Sequence, residues 1–141
     1  MSSDLALRHA RAWLTLVVIL ALHVTDEALT GFLSVYNPIV LQIRAAWSWF
    51  PVPTFTFGPW LTGLIVLVVV LALLTPGIRA GGTLAAAGSI IFGVLMLMNG
   101  VGHLAGSVYF WRWLPGATTA PLLLAGGTWL LSTVWQRVRS P

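Results

Sequence analysis

Two short sets of polar residues interrupt the apolar stretches of this chain, and their types and spacing could support chemistry. His23 and Glu27 are four residues apart, so on a helix their side chains share one face, with Asp26 beside them. Asn99 and His103 repeat that spacing in a later apolar stretch. A charged group inside a membrane costs roughly 2.5–3.5 kcal/mol on insertion scales and usually has a function. We therefore predict that His23, Glu27, Asn99 and His103 line one catalytic site. Asp26, the fifth candidate catalytic residue, is predicted at its edge.

The predicted site suits more than one kind of chemistry. His23, Glu27 and His103 could ligate a divalent metal ion such as Zn, Fe or Mn and leave a position open for a reactant. Without a metal, Glu27 could transfer protons beside a histidine, while Asn99 orients a substrate or a water molecule. Haem ligation by His23 and His103 is a third use. Their predicted depths differ by roughly 14 Å, which is awkward for a shared haem.

Three further residues are predicted to contact a substrate. Tyr109 and Arg112 follow His103 towards the same end of the chain's third apolar stretch, and Thr30 continues the polar face of the first. Each also has a structural interpretation. An arginine flanked by tryptophans suits an anchor at the membrane surface, and a helical threonine often bonds to its own helix. The whole polar set could likewise serve only to pair helices.

The elements that must position these residues are membrane-spanning helices. Of 141 residues, 58% are hydrophobic and 7% are charged, and the mean hydropathy is +0.94. This composition excludes a soluble globular domain, a disordered chain and a nucleic-acid binder. The absence of cysteine excludes disulfides and thiolate metal sites. The chain has room for about four spans of about 20 residues each.

The apolar stretches and their stop signals predict an all-α, integral membrane four-helix bundle that forms one domain over 1–141. Asn37-Pro38 is taken as the end of the first span, and Pro76-Gly77 as the end of the second. A short helix rich in tryptophan is expected to lie at the membrane surface between spans one and two. The predicted spans are about 12–36, 59–75, 83–108 and 118–135, and the surface helix covers about 39–50.

The arginines predict the orientation of the spans. With four spans, both termini and the loop between spans two and three share one side, which carries five of the seven basic residues. Because positive residues are retained on the cytoplasmic side, we expect a multi-pass protein of the cell inner (plasma) membrane with both termini in the cytoplasm.

The motifs resemble those of the HXXEE domain proteins, a family of small prokaryotic membrane proteins. His23-Val24-Thr25-Asp26-Glu27 is similar to the family's namesake motif, with Asp26 in place of its first glutamate. Asn99 and His103 match an N-xxx-H element, and the segment 112–116 matches an arginine followed by Pro-Gly. The His-xxx-Glu pair and the later asparagine resemble, more distantly, the emopamil-binding sterol isomerases, which implies double-bond isomerisation by protonation in a membrane cavity.

Together these features predict an integral membrane enzyme that acts on a hydrophobic or lipid-like small molecule. The chemistry would be either acid–base, as in an isomerase or cyclase, or metal-assisted, as in a hydrolase. A transporter or sensor that binds a lipophile without converting it is the alternative, and a structural membrane subunit is a further one. The expected partners are the membrane and the lipophile, with no nucleic acid.

Overall fold

The computed structural model describes residues 3–139, and these residues form helices and no strand. The all-α prediction is therefore confirmed. Leu74, between the third and fourth helices, also has helical dihedral angles, so these two helices join into one continuous helix, Phe57–Ala80. In chain order the helices are α1 (Ser3–Thr30), α2 (Leu33–Ala46), α3 (Phe57–Leu73), α4 (Thr75–Ala80), α5 (Thr83–Tyr109) and α6 (Ala120–Arg139).

Three helices in residues 3–139 are long and apolar enough to cross a membrane: α1, the joined α3–α4, and α5. Only 6% of the most apolar part of α3–α4 is buried inside the protein. Side chains such as Ile65 and Val69 are about half exposed, at 52% and 51%. Water is a poor solvent for so much apolar surface, whereas lipid is a good one. These features indicate a membrane protein.

The first helix differs from its predicted bounds at both ends. A span over about 12–36 is predicted, whereas α1 begins at Ser3 and ends at Thr30. Gly31 has a φ of +79°, and the N–H of Phe32 donates to the carbonyl of Glu27 at 3.0 Å. This is the hydrogen bond of a Schellman C-cap. The predicted stop at Asn37-Pro38 is therefore wrong, because a left-handed glycine ends the helix six residues earlier.

The short second helix also lies earlier than predicted. Helix α2 covers Leu33–Ala46 rather than 39–50, and it contains Pro38. This proline lies in the second turn, where it removes a single backbone hydrogen bond. Residues 51–56 then lead back to α3 without regular secondary structure. The side chain of Asn37 holds them by donating to the carbonyl of Phe55 (2.9 Å) and accepting from its N–H (3.0 Å).

The other predicted spans overlap observed helices. Helix α5 lies at Thr83–Tyr109, where 83–108 is predicted, and α6 lies at Ala120–Arg139, where 118–135 is predicted. Pro76-Gly77 does not end the second span at 75. Pro76 lies in the first turn of α4, where a proline is tolerated, so the helical path continues to Ala80.

Helix α6 packs against both α5 and α1, and α1 also packs against α3 and α4. His9 contacts Ser89 and His23 contacts Asn99, so α1 and α5 run parallel. Arg137, near the end of α6, contacts His9 near the start of α1, so α6 runs antiparallel to both. The ends of α1 and α5 and the start of α6 therefore meet in one place.

The apolar core lies between these helices. Leu16 of α1 and Leu123 and Leu130 of α6 have no exposed surface. The ring of Trp13 meets Phe92 of α5 edge-on, with centroids 5.0 Å apart. Its indole N–H donates to the carbonyl of Leu71 at 2.8 Å, which ties α3 to α1. This core fixes the relative height of α1 and α5, and hence of the polar residues near their ends.

Candidate functional site

Helices α1 and α5 bring His23, Glu27 and His103 together, and we call these three residues the ligand cluster. Glu27 Oε1 lies 3.1 Å from His103 Nε2 and 3.5 Å from His23 Nε2. All three side chains are buried, with 0–8% of each residue exposed. The predicted meeting of the two i, i+4 pairs is therefore what the structure shows.

The ligand cluster is a candidate site for a divalent metal ion. One ligand atom from each residue lies within 4.8 Å of the others. A tetrahedral ion with bonds of 2.0–2.1 Å separates its ligand atoms by about 3.3 Å. The two nitrogen–oxygen distances at Glu27 lie on either side of that value. Two histidines and one glutamate also form a ligand set used by zinc hydrolases, which keep a fourth position open.

The hydrogen bond at Nδ1 of His23 determines which ring nitrogen carries the lone pair. His23 Nδ1 lies 2.8 Å from the hydroxyl of Thr119, which in turn lies 2.9 Å from Asp26 Oδ2. A carboxylate is the strongest acceptor near that hydroxyl, so Thr119 donates to Asp26 and accepts from His23. A neutral His23 then carries its proton on Nδ1 and presents the lone pair of Nε2 to Glu27. Two acceptors thus face each other, as they do around a metal ion.

Asp26 is predicted to lie at the edge of the site, beside the residues that line it. It lies at the edge of the site, half-buried, and its Oδ2 accepts from both the N–H and the hydroxyl of Thr119 (3.2 and 2.9 Å). Thr119 immediately precedes α6, and a helix N-terminus favours a negative charge. Asp26 therefore positions Thr119 and the start of α6, and acts on His23 only through that threonine.

A glycine in the loop between α5 and α6 leaves room for the two rings. Gly116 has a φ of +82°, and a Cβ there would lie 2.6 Å from His103 Cε1 and 3.0 Å from His23 Cε1. The rings themselves are in edge contact, with centroids 4.8 Å apart. The predicted difference of roughly 14 Å in depth between the two histidines is therefore wrong. Rings in mutual contact also leave no slot for a porphyrin between them, which removes the haem interpretation.

Two cavities flank the ligand cluster. One of about 380 Å³ is lined by Glu27 together with Asn37 and Trp60. The other, of about 410 Å³, lies between α2 and α5 and carries Asn99 and His103 on its wall. The rest of this second wall is mainly apolar: Phe32, Val35, Tyr36, Ile39, Val40, Ile43, Phe50, Val52, Met98, Gly102, Gly106, Phe110 and Leu114.

Phe32 lines both cavities and separates them. Its ring stacks on Trp60 and Tyr36 and lies 5.7 Å from the ring of His103. Asn99 stands at the edge of the larger cavity, with Nδ2 3.4 Å from His23 Nε2. An apolar molecule in the larger cavity would therefore meet Asn99 and His103 as its polar contacts.

The predicted substrate contacts lie elsewhere. The hydroxyl of Thr30 donates to the carbonyl of Asp26 in its own helix at 2.5 Å, as the structural interpretation states. Tyr109 is 78% exposed and stacks edge-on with Phe110. The guanidinium of Arg112 lies 5.9 Å from the ring of Phe110. None of the three lines either cavity beside the ligand cluster.

Thr119, Gly116 and Phe32 are the site residues that the sequence interpretation missed. Thr119 is 93 residues from Asp26, so no local spacing connects them. Gly116 was visible as a Pro-Gly turn, but its proximity to the two rings depends on the path of the loop. The sequence signal that could have placed Phe32 at the site is Gly31. A glycine that ends a helix brings the next residue back against the last turn of that helix.

Comparison of the chain with models of protein families, with curated proteins and with solved structures gives no match.

Proposed function

We propose that this protein is a membrane-embedded metalloenzyme that acts on a hydrophobic, lipid-like substrate. His23, Glu27 and His103 would hold one divalent ion, with zinc as the first candidate. The observation that carries the proposal is the convergence of two histidine nitrogens and one carboxylate oxygen within 4.8 Å in a buried site. Opposed acceptor atoms of this kind need a shared cation or proton between them.

The membrane part of the proposal is a bundle of four spans with both termini in the cytoplasm. Three helices qualify by length and composition. Helix α6 is the fourth, because it runs along α1 from the contact of Arg137 with His9 to that of Thr119 with His23. Those fourteen residues of α1 cover about 21 Å. A helix packed along a span over that distance lies in the same bilayer, and the ligand cluster then lies in its outer half.

Each residue would have a defined role at the site. A bound divalent ion would polarise a substrate carbonyl or activate a water molecule. Asn99 would orient the substrate from the wall of the larger cavity, since its amide offers both a donor and an acceptor. Thr119 and Asp26 would hold His23 in the ligating tautomer. The apolar wall from α2 would accept the hydrocarbon part of the substrate and keep bulk water away.

Metal analysis of the purified protein tests the proposal. Elemental mass spectrometry should find about one divalent ion per chain in the wild type and almost none in a His23→Gln/His103→Gln double variant. His9→Gln is the matched control, because it removes the remaining histidine, which is equally buried but lies away from the cluster. Metal that survives in the double variant, or its absence from wild type purified without chelators, would overturn the proposal.

Acid–base catalysis without a metal is the second candidate. The distance of 3.1 Å between Glu27 and His103 supports it, since that is the length of a hydrogen bond. In this case His103 would donate to Glu27, and Glu27 would move a proton on the substrate. The more distant resemblance to emopamil-binding isomerases belongs with this proposal. Wild type that lacks metal but binds a lipophile at Glu27 would favour it.

A further inference from the structure

A second buried polar group lies at the opposite end of α1, and we call it the arginine cluster: His9, Ser89 and Arg137. Arg137 is only 8% exposed. Its Nη1 donates to the carbonyl of Ile78 (2.7 Å) and to His9 Nδ1 (3.0 Å), and its Nη2 donates to the carbonyl of Arg79 (2.9 Å). These carbonyls belong to the last turn of α4, so the guanidinium also caps that helix.

The charge of Arg137 has no carboxylate partner within residues 3–139. The ion pairs in that part of the chain join Glu27 to His23 and His103, at the other end of α1. His9 adds no negative charge, since its Nδ1 accepts from Arg137 and its Nε2–H then donates to the hydroxyl of Ser89 (2.8 Å). Burying an unpaired cation is costly, so a missing anion is the natural complement.

A cavity of about 450 Å³ beside Arg137 could hold that anion. It lies between the start of α5 and the end of α6, and Gly81, Gly82 and Thr83 line it beside Arg137. Gly82 precedes α5 and gives it no side-chain cap, so the first N–H groups of this 27-residue helix lack a capping side chain. A helix N-terminus favours negative charge. A buried arginine and a helix N-terminus therefore face the same cavity.

The remaining wall of the cavity identifies the class of anion. It is formed by small and branched apolar side chains: Ala85, Ala86, Ala87, Ile90, Val134 and Val138. A small inorganic ion would fill only the polar end of the cavity. A molecule with a phosphate at one end and an acyl chain at the other would cover both parts. Basic pockets between helices on the cytoplasmic side of a membrane bind anionic lipid headgroups in this way.

We propose that the cavity at the arginine cluster is a binding site for an anionic phospholipid, with its phosphate at Arg137 and the N-terminus of α5. One acyl chain would lie along the apolar wall between α5 and α6. The proposal rests on the membrane insertion proposed above but not on the metal. Its ligand would hold α4, α5 and α6 together at the cytoplasmic surface.

Native mass spectrometry of the full chain, with phosphatidylglycerol and phosphatidylcholine in equal amounts, tests this site. Wild type should retain phosphatidylglycerol in preference to phosphatidylcholine. Thr83→Glu adds a carboxylate at the first position of α5, where it favours the helix but repels a phosphate. We expect it to weaken phosphatidylglycerol retention by about fivefold or more. Thr83→Gln has the same length without the charge and should behave as wild type.

Several outcomes would overturn the lipid site. Equal retention of both lipids by wild type would mean that Arg137 serves only to cap α4. Full retention of phosphatidylglycerol by Thr83→Glu would place the lipid elsewhere. Displacement of the lipid by excess inorganic phosphate would assign the site to a free anion. Metal content should be the same in all three proteins, so failure of this proposal is distinguishable from failure of the metal site.

Discussion

The ligand cluster and the arginine cluster are two buried polar groups on the same helix, about 21 Å apart along α1. Each contains a histidine of α1 that contacts α5 and either α6 itself (His9) or the residue before it (His23). In the arginine cluster every described contact pairs a donor with an acceptor, because Arg137 supplies N–H groups to a histidine nitrogen and two carbonyls. In the ligand cluster the Nε2 lone pair of His23 and the Glu27 carboxylate face each other at 3.5 Å. The donors near them are the amide of Asn99, 3.4 Å from that nitrogen, and His103 Nε2, 3.1 Å from the carboxylate.

This difference separates a group whose hydrogen bonds are matched from a group in which two acceptors are opposed. A matched set of donors and acceptors holds helices together, and in the arginine cluster the charge of Arg137 is what remains for an anion to balance. Opposed acceptors destabilise the protein until a cation or a proton joins them. The number of buried polar residues is therefore a poorer guide to function than the balance of donors and acceptors among them.

The largest effect is expected from a change of Glu27. In Glu27→Gln the amide can donate to His23, so the opposed acceptors become a matched pair. We expect metal affinity to fall by more than about 100-fold, beyond the usual range for residues around a ligand. The metal-free variant should melt no lower than the metal-free wild type, because a buried charge has been removed. Metal titration and thermal unfolding of the two proteins in the same detergent measure both effects.

Arg137→Gln is the corresponding change in the arginine cluster. Arg137→Gln should lower the melting temperature with or without metal, because the caps on α4 are lost. If Glu27→Gln melts below wild type in the metal-free state, then the ligand cluster is as structural as the arginine cluster. The distinction between the two groups would then fail.

The depths of His23 and His103 along their helices show how far the sequence predicts this site. Each lies 20 residues after the first described residue of its helix, Ser3 in α1 and Thr83 in α5. The start of α5 is visible as a pair of glycines followed by an apolar run. The first turns of α1 contain charged residues and His9, so they do not look like part of an apolar span. The burial of His9 depends on its contacts with α5 and α6. Because the predicted first span starts nine residues after Ser3, the two histidines are predicted at different depths.

Local spacing was sufficient to predict which polar residues of α1 and α5 meet, but not which residues surround them. The i, i+4 pairs identify His23, Glu27, Asn99 and His103, because helix geometry relates residues close in sequence. The role of Asp26 depends on Thr119, which only the path of the loop between α5 and α6 brings near. Thr30, Tyr109 and Arg112 were assigned by their position along the helices, which does not determine the direction of a side chain.

A smaller effect is expected at Thr119, which acts on the metal through His23. Thr119→Val keeps the shape of the side chain but removes the hydroxyl that links His23 to Asp26. Loss of such an outer partner typically lowers metal affinity by about 10–100-fold. Thr118→Val is the matched control, since the hydroxyl of Thr118 is exposed and bonds only to Trp113. Equal affinities in the two variants would contradict the proposed link.

Gly116→Ala should affect stability and metal binding together. The new methyl group would lie 2.6 Å from His103 Cε1, on a backbone with a φ of +82°. We expect a loss of about 3 kcal/mol in the free energy of unfolding from crowding and the left-handed conformation. Gly102→Ala is the control, because nothing lies within 4 Å of a Cβ at that helical position. Denaturant unfolding and metal titration would show the loop's role to be wrong if both variants behaved alike.

Ser89→Ala should have the smallest effect, and it tests the arginine cluster alone. Ser89 has no exposed surface, and its hydroxyl lies 2.8 Å from His9 Nε2. Its removal leaves the N–H of His9 buried without an acceptor, which costs about 2 kcal/mol of unfolding free energy. Metal affinity should stay at the wild-type value, since the ligand cluster lies about 21 Å further along α1. Ser132→Ala, at an exposed hydroxyl that bonds to its own helix, should change neither quantity. A loss of metal in Ser89→Ala would show that the two clusters are coupled through α1 and α5, and that neither acts as a separate unit.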